Sequence, residues 1–372
     1  MELLRAAEGL DLGEKLRATL PRLMQAVTFD SPFHIACTSV AEPRLLAATD
    51  AIVRVELTAI CGSDLHVYRG VERGLDRGTV LGHEFLGTVV EAGGAVQRAV
   101  KGARCIAPFS INCGACWFCA RGLTSRCKDS QLFGWVQEGR GLHGAQAEYV
   151  RVPFADASLV AVPHEVAAEA ALLTGDVLST GVHAADNGGV AAGDVVVVLG
   201  LGPVGLCALW AAKDRGAAAV FGVDRVTERL ALAERHGGVP LQLGSDDVLA
   251  RVRAATDGRG ADVVIEAVGH AEATQLAWQL VRNGGTVSVP GVHNEPAFAI
   301  TPGQLYDKNL TYCSGRAPVR AYMEPLLQRL RRGDLDLAPL FSHRLPLAEA
   351  KRGYAIFEQK LERCTKVLLR PH

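Results

Sequence analysis

VVVVLGLGPVG, residues 195–205, is the stretch that decides the fold. Its first five residues, Val195–Leu199, form an apolar run typical of a buried strand, and a G-x-G-x-x-G pattern follows directly. A strand that enters a helix through such a turn is typical of a dinucleotide site, because the pyrophosphate can approach the helix N-terminus closely. The stretch therefore predicts five cofactor-binding residues: Gly200, Gly202, Pro203, Val204 and Gly205.

Short apolar runs and helical stretches alternate after this turn. Such an alternation predicts a parallel sheet covered by helices on both faces, the doubly wound α/β arrangement. The predicted strands that follow Val195–Leu199 are Ala219–Val223, Val263–Glu266 and Thr286–Val289. The predicted helices are Gly205–Arg215, Thr227–His236, Ala271–Val281 and Arg320–Arg332.

An acidic residue, Asp224, ends the second strand about 20 residues after the glycine turn. A carboxylate at this point can accept hydrogen bonds from the adenosine ribose and would repel a 2′-phosphate, so the pattern favours NAD over NADP. Arg225, the next residue, is a further candidate for contact with the cofactor. Gly269, Gly291 and Val292 follow buried strands where cofactor atoms would pass, although ordinary turn residues fit these positions equally well.

A second informative run is CGACWFCARGLTSRC, residues 113–127, in which the cysteines are spaced C-x2-C-x2-C-x7-C. Thiolates on such a short segment can converge on one tetrahedral cation, and zinc prefers this sulfur environment. All positions of the cation would be filled, so we predict a structural rather than a catalytic zinc. Its ligands would be Cys113, Cys116, Cys119 and Cys127.

Length and composition restrict the possible functions. The chain has 372 residues, of which 49% are hydrophobic, and this predicts at least two folded domains. Its net charge of −1 argues against nucleic acid or an anionic membrane as the main partner, and against a zinc ribbon that contacts nucleic acid. No apolar run approaches the roughly 18 residues of a membrane span. Thiolate metal ligands suit a reducing compartment, so we expect a cytoplasmic protein.

The first part of the chain has a different texture. Residues 1–23 form an N-terminal extension that carries acidic residues and lacks a continuous apolar region, so it matches neither a signal nor a transit peptide. From Met24 to about Arg151 short alternating runs predict a β-rich domain. The predicted strands are Ala51–Leu57, Phe85–Glu91 and Arg104–Pro108.

Residues of the type that bind metals occur in this β-rich part and just after it. They lie in CGSDLH (residues 61–66), in LGHEF (residues 81–85) and in GDVLSTGVHAA (residues 175–185). Taken singly, such residues are more often a buried cysteine, a core histidine or a solvated acid. Their combination with the four-cysteine run and the glycine turn, in this order, is specific.

Together these runs resemble the zinc-dependent medium-chain alcohol dehydrogenases, and QAEYVRVPFAD (residues 146–156) resembles their formaldehyde, threonine and alcohol dehydrogenase branch. The resemblance covers Met24 to the C-terminus. It implies a β-rich GroES-like catalytic domain over residues 24–177, completed by residues 317–372, and a Rossmann domain over residues 178–316. It also implies a homodimer or homotetramer.

The resemblance further implies a catalytic zinc, which makes two zinc ions per chain. Cys61 and His83 match the first two catalytic ligands of the family, and Asp176 falls at the third, where many relatives have cysteine. A carboxylate is an acceptable zinc ligand. Glu84 matches an acid that in relatives either approaches the zinc or lies behind it.

Four further roles follow from the same resemblance. Asp64 matches a carboxylate that orients a ligand histidine, and Ser63 matches the hydroxyl that contacts the substrate oxygen. His66 matches the outer member of a proton relay, and Arg320 matches a basic residue that contacts the cofactor pyrophosphate. The implied reaction is hydride transfer between NAD and a small alcohol, polyol or aldehyde hydrate.

Alternatives remain open at this point. One is a dehydrogenase of a threonine-type hydroxy-amino acid, and another is a relative that binds NAD and zinc without chemistry. The complete set of metal and relay residues disfavours the second. Trp135 and His143 lie in FGWVQEGRGLHG (residues 133–144), which could line a substrate pocket, whereas His183 is expected to be structural.

Overall fold

The computed structural model describes residues 22–335 and 337–372, so residues 1–21 of the predicted extension lie outside it. No helix in the described ranges is long and apolar enough to cross a membrane. The strands are β1 Leu23–Ser31, β2 His34–Ala41, β3 Ala51–Ile60, β4 Glu84–Ala92, β5 Arg104–Ile106, β6 Trp135–Gln137, β7 Arg140–Leu142, β8 Tyr149–Val152, β9 Val160–Ala161, β10 Val195–Leu199, β11 Ala219–Asp224, β12 Val239–Gln242, β13 Ala261–Glu266, β14 Val281–Val289, β15 Thr311–Ser314, β16 His343–Pro346 and β17 Val367–Arg370.

The α-helices alternate with the later strands. They are α1 Asp64–Tyr68, α2 Ala155–Ser158, α3 Ala168–Thr174, α4 Val177–Asn187, α5 Pro203–Asp214, α6 Thr227–Arg235, α7 Val248–Ala254, α8 Ala271–Leu280, α9 Pro302–Asp307, α10 Val319–Arg332 and α11 Ala350–Gln359. Short 3₁₀ helices cover Cys119–Arg121, Thr124–Arg126, Ala338–Leu340, Leu347–Glu349 and Leu361–Arg363.

Six parallel strands form the sheet that the glycine turn predicted, in the order β12-β11-β10-β13-β14-β15. This is the strand order of a Rossmann sheet, and it confirms the predicted doubly wound arrangement. The central strand β10 is buried along its whole length, as expected for a strand covered on both faces. The sequence did not predict the edge strands β12 (VPLQ) and β15 (TYCS), because both are short and mix polar with apolar residues.

A second sheet of seven strands is built largely from the first part of the chain, in the order β16-β17-β3-β4-β5-β9, with β8 also paired to β3. The last strand, β17, pairs antiparallel with β3, so that Leu368 faces Ala59. The C-terminal residues are therefore part of the same sheet as residues 51–60. Cys61 directly follows β3, and His83 directly precedes β4, which begins at Glu84.

The two sheets are connected through a continuous apolar core and through two closely packed helices, α4 and α5. A Cβ atom added at Gly181 of α4 would lie 2.5 Å from the Cβ of Cys207 on α5. Only glycine permits this separation. The packing fixes α4, which begins directly after Asp176, against α5, which begins at the glycine turn.

Candidate functional site

Residues from three separate segments meet at one end of the second sheet. Cys61 follows β3, His83 and Glu84 lie at the start of β4, and Asp176 immediately precedes α4. Strands β3 and β4 pair antiparallel, with Ala59 opposite Glu84, which brings the first two segments together. One potential ligand atom from each of the four residues lies within 4.8 Å of the others.

The geometry of this cluster fits a tetrahedral zinc ion. The Cys61 thiol donates to Asp176 Oδ2 at 3.1 Å, and His83 Nε2 lies 3.5 Å from the same oxygen. Zinc–ligand bonds of about 2.0–2.3 Å place neighbouring ligand atoms roughly 3.3–3.8 Å apart. The cluster therefore has the separation and the nitrogen, sulfur and oxygen donors of a zinc site.

A chain of hydrogen bonds behind the cluster orients His83. Its Nδ1 lies 3.2 Å from Asp64 Oδ1, while Asp64 Oδ2 accepts from the Cys61 backbone N–H at 2.9 Å and from Gln146 Nε2 at 3.3 Å. The Tyr354 hydroxyl donates to Gln146 Oε1 at 2.9 Å. With Nδ1 engaged in this way, Nε2 of His83 is the nitrogen left to bind metal.

Glu84 forms an ion pair with Lys366 that the sequence did not predict. Both side chains are fully buried, and Lys366 Nζ lies 2.7 Å from Glu84 Oε1 and 3.4 Å from the Ile60 carbonyl oxygen. The second carboxylate oxygen, Glu84 Oε2, is buried and has no hydrogen-bond partner among the residues that the structure describes. Such an oxygen beside Cys61, His83 and Asp176 is an available acceptor for a cation.

The protonation of the cluster shows why a dication suits it. Burial and the Asp176 carboxylate raise the pKa of Cys61 to about 11. Burial alone would lower the pKa of His83, but the Asp64 charge and the hydrogen bond to Asp176 outweigh it and raise the pKa well above the usual value. Without a metal, the protons on Cys61 and His83 therefore offset the negative charge of the buried carboxylates. A zinc ion can take the place of these protons.

The predicted relay residues lie on the outer side of the cluster. Ser63 Oγ is 3.3 Å from His83 Nε2. His66 is on α1, and its Nδ1 lies 2.6 Å from Nδ2 of Asn294. Burial lowers the pKa of His66. Asn294 follows β14 of the parallel sheet, so this contact joins the loop after β14 to α1.

The four predicted cysteine ligands also converge, in a lobe over residues 113–127. The Cys116 sulfur is 3.5 Å from that of Cys119 and 3.9 Å from that of Cys127. The Cys113 backbone N–H donates to the Cys127 sulfur at 3.2 Å, and backbone N–H groups lower the pKa of Cys116 to about 6. The sulfur separations fit a tetrahedral zinc ion with bonds of about 2.3 Å.

The glycine turn has the close packing that its pattern predicts. A Cβ atom at Gly205 would lie 1.8 Å from the Gly200 carbonyl oxygen. Asp224 holds the turn, because its Oδ2 accepts from the Leu201 backbone N–H at 2.7 Å and its Oδ1 from that of Arg225 at 2.7 Å. The Arg225 side chain is exposed.

Arg229, on the first turn of α6, is a residue that the sequence analysis missed. Its Nη1 lies 3.6 Å from Asp224 Oδ2 and 3.9 Å from a Cβ built on Gly202. Within the described part of the chain, its buried Nε has no hydrogen-bond partner. A cationic residue one helical turn after the acidic residue was its only signal in the sequence. Arg229 therefore adds positive charge beside the glycine turn, where the cofactor pyrophosphate is expected to bind.

The remaining predicted cofactor residues are brought together in part. A Cβ at Gly269 would lie 2.3 Å from the Val292 carbonyl oxygen, and one at Gly291 would lie 2.6 Å from the Gly269 nitrogen. Arg320 is engaged within the protein, where its Nε donates to the Ala157 carbonyl at 2.9 Å and its Nη2 to Glu324 at 3.0 Å.

A buried carboxylate fixes the turn at Gly269. Glu266 Oε1 accepts from the Val268 and Gly269 backbone N–H groups at 2.7 and 2.9 Å, and its Oε2 lies 2.7 Å from His293 Nε2. From the sequence, Glu266 is predicted only as the last residue of a strand.

The candidate pocket residues of the 133–144 run are half-buried or hydrogen-bonded within the protein. Trp135 packs against an apolar cluster that includes Phe29 and Leu65. His143 Nδ1 accepts from the Val80 backbone N–H at 3.1 Å, and His183 Nδ1 lies 3.2 Å from the Tyr322 hydroxyl. These contacts give both histidines structural partners.

Family models match both parts of the chain. The alcohol dehydrogenase GroES-like domain matches residues 47–164, and the zinc-binding dehydrogenase domain matches residues 203–332. The first contains the cysteine lobe together with Cys61 and His83, and the second begins inside the glycine turn.

Individual relatives are similar along almost the whole chain. A zinc-type alcohol dehydrogenase-like protein, AdhB, of Bacillus subtilis is 38% identical, over 94% of this chain and all of the relative. The structure of the alcohol dehydrogenase TADH from Thermus sp. ATN1 is 40% identical and covers 93% of this chain and 99% of its own, with a TM-score of 0.87. A structure from Sinorhizobium meliloti 1021, a zinc-binding dehydrogenase bound to NADP, is 28% identical with a TM-score of 0.82, and it covers 94% of this chain and all of its own.

These similarities extend over both sheets and include proteins named for zinc and for alcohol oxidation. A nicotinamide cofactor accords with the Rossmann sheet and with the NADP-bound neighbour. The chain belongs to the zinc-dependent medium-chain alcohol dehydrogenase family and is a zinc-dependent oxidoreductase.

Proposed function

We propose that this enzyme transfers a hydride between a small alcohol and NAD, with Cys61, His83 and Asp176 as the catalytic zinc ligands. The observation that carries this proposal is the meeting of these three side chains, from separate segments, with ligand atoms at zinc-compatible separations. Glu84 is a fourth potential donor. Its Oε1 is paired with Lys366, and its Oε2 has no hydrogen-bond partner among the described residues. A second zinc, bound by the four-cysteine lobe, would hold residues 113–127 together.

The metal and the cofactor supply the parts of the chemistry that side chains cannot. When bound, zinc supplies positive charge that lowers the pKa of an alcohol hydroxyl, and nicotinamide supplies the hydride acceptor. The cleft between the two sheets orients the reacting groups.

The protein's own residues then handle the proton. The Ser63 hydroxyl, beside the His83 ligand atom, is placed to accept the proton of the substrate hydroxyl. His66 lies further out on the same short segment and can release the proton to solvent. Its lowered pKa keeps the imidazole neutral near pH 7, the form that accepts a proton.

The choice of NAD over NADP rests on Asp224. Its carboxylate ends β11 beside the glycine turn, where negative charge would oppose a 2′-phosphate. Arg225 and Arg229 lie close to it, so Asp224→Gly should shift the preference toward NADP. A comparison of the two cofactors with the wild type and this variant tests the assignment. The backbones of Gly269, Gly291 and Val292 lie close together after β13 and β14. This close packing supports a contact of these residues with the nicotinamide half of the cofactor.

The domain limits and the assembly are part of the same proposal. Residues 24–177 and 317–372 would form the catalytic domain and residues 178–316 the nucleotide-binding domain, which the pairing of β17 with β3 supports. A homodimer or homotetramer agrees with the position of β15 at the edge of its sheet in the described chain. Light scattering of the purified protein would measure the assembly. The unpaired cysteines of the lobe suit a reducing compartment such as the cytoplasm.

The decisive experiment follows NADH absorbance with zinc-loaded enzyme and a panel of alcohols, polyols, formaldehyde and threonine. Reduction of NAD with one class, lost on chelation and restored by zinc, would support the proposed reaction and identify the substrate group. Turnover of threonine alone would support the hydroxy-amino-acid alternative. Tight NADH binding without turnover of any member would contradict the proposal.

A further inference from the structure

Two arginines lie next to each other where the four-cysteine lobe meets the segment after β15. Arg126 immediately precedes Cys127 of the lobe, and Arg316 follows β15 of the parallel sheet. The Ser125 hydroxyl donates to the Arg316 carbonyl oxygen at 3.0 Å, which ties the two segments together. A Cβ atom built on Gly315 would lie 4.0 Å from Arg126 Nη2, so this guanidinium lies directly beside the backbone of the other segment.

Neither guanidinium is neutralised by an ion pair. In the described residues no carboxylate oxygen lies within 4.0 Å of Arg126 or Arg316, and both side chains are exposed. Several other arginines do form ion pairs, for example Arg329 with both oxygens of Asp214 and Arg344 with both oxygens of Glu169. Adjacent like charges without a partner are unfavourable unless an anion binds between them.

The pair lies near the relay segment, because Glu72 is close to both His66 and Arg316. Arg316 follows the carboxyl end of β15, and ligands of such sheets bind outside the carboxyl ends of the strands. The Glu72 backbone N–H donates to the His66 carbonyl at 3.1 Å, and the Glu72 charge acts on both His66 and Arg316. Glu72 is a single negative charge against the two arginines, so a net positive charge remains.

We propose that Arg126 and Arg316 bind an oxyanion group of the substrate, a carboxylate or a phosphate, at a distance from the hydroxyl that is oxidised. A guanidinium matches such groups with two parallel hydrogen bonds, which favours arginine for this task. The anion would fix the orientation of the alcohol in the cleft. The inference rests on the proposed function, since it concerns the substrate of the same site.

The test uses matched substrates that differ only in the anion: butan-2-ol against 3-hydroxybutanoate, and glycerol against glycerol 3-phosphate. With the zinc-loaded holoenzyme, kcat/KM should be higher for the anionic member of one pair. Arg316→Gln and Arg126→Gln should each lower that value about 10- to 100-fold and leave the neutral member within about twofold. Which pair responds distinguishes carboxylate from phosphate.

A second readout does not depend on the length of the substrate. Acetate and inorganic phosphate are assayed as inhibitors of the neutral alcohol that gives the best turnover. The anion that fits should inhibit the wild type competitively with the alcohol, and the inhibition should weaken at least tenfold in Arg316→Gln. Arg331→Gln, which removes an exposed arginine on α10, is the matched control and should behave as wild type.

Three outcomes would overturn the inference. They are equal effects of the variants on charged and neutral substrates, no inhibition by either anion, and weaker NADH binding in the variants, which would assign the arginines to the cofactor. Failure of the proposed function would give a different result, because then neither the anionic nor the neutral alcohols would reduce NAD.

Discussion

The two metal-type clusters of this protein are built in opposite ways. The lobe draws its four sulfur donors from one short segment, it is half-exposed, and backbone N–H groups surround its sulfur atoms. The proposed catalytic cluster consists of Cys61, His83, Glu84 and Asp176. It draws mixed donors from three segments, is largely buried, and is backed by charged side chains. A local all-sulfur cluster suits a closed structural site, whereas a distant mixed cluster depends on the whole fold and can leave a position for substrate.

The largest expected effect is the loss of a catalytic ligand. Asp176→Ala should lower kcat/KM by about 1,000-fold or more, because the catalytic zinc would be lost or misplaced. NADH binding, followed by fluorescence, should be retained, since the glycine turn is unchanged. Cys313→Ser, at a half-buried cysteine outside both clusters, is the control. Full activity of Asp176→Ala would remove Asp176 from the ligand set.

Removal of Lys366 tests how far the catalytic cluster depends on its buried charges. Lys366→Met should destabilise the protein by about 3–5 kcal/mol, because Glu84 would remain buried with an unpaired charge. Urea unfolding of the zinc-free protein measures this change. The double variant Lys366→Met/Glu84→Gln should recover most of the lost stability, and a deficit as large as that of the single variant would argue against the ion pair.

Damage to the lobe should affect stability more than chemistry. Cys119→Ser should remove one zinc per chain and expose residues 113–127 to proteolysis, while kcat stays within about threefold of wild type, since the lobe can open locally. Zinc content by mass spectrometry and limited proteolysis measure the two effects. If both zinc ions were lost together, the two clusters would not be independent.

The remaining prediction concerns pH. Burial lowers the pKa of His66, so its neutral, proton-accepting form persists below the usual value of about 6.5. The activity of the wild type should therefore fall only as pH drops through that lowered pKa. His66→Gln should reduce kcat about 10- to 100-fold and remove this acidic limb. An unchanged limb in the pH profile of this variant would exclude His66 from the relay.

Much of the fold and several site residues could be predicted because their signals are local. The glycine turn, the strand β10 and the lobe each lie within one short run, and the predicted bounds of Val195–Leu199 agree with the structure. Strand β14 begins at Val281 rather than at Thr286, since the chain passes from α8 straight into an extended conformation. The edge strands were missed because their short mixed sequences resemble loops.

The partners of the predicted residues could not be read in the same way. Lys366 meets Glu84 across 282 positions of the chain, and Asn294 meets His66 across 228. Neither residue belongs to a motif, so its type and local pattern carry no signal. The pairing of β17 with β3 creates the first contact, and the approach of the loop after β14 to α1 creates the second.

By itself the sequence determined the parallel sheet with its nucleotide turn, the four-cysteine lobe and the family resemblance, because short-range spacing encodes each of them. The tertiary structure alone decided which donors face a common point, which buried charge balances Glu84, and where the unpaired arginines lie relative to the relay. Such choices depend on burial and on distances between remote segments. Both are set by packing, so no window of the sequence contains them.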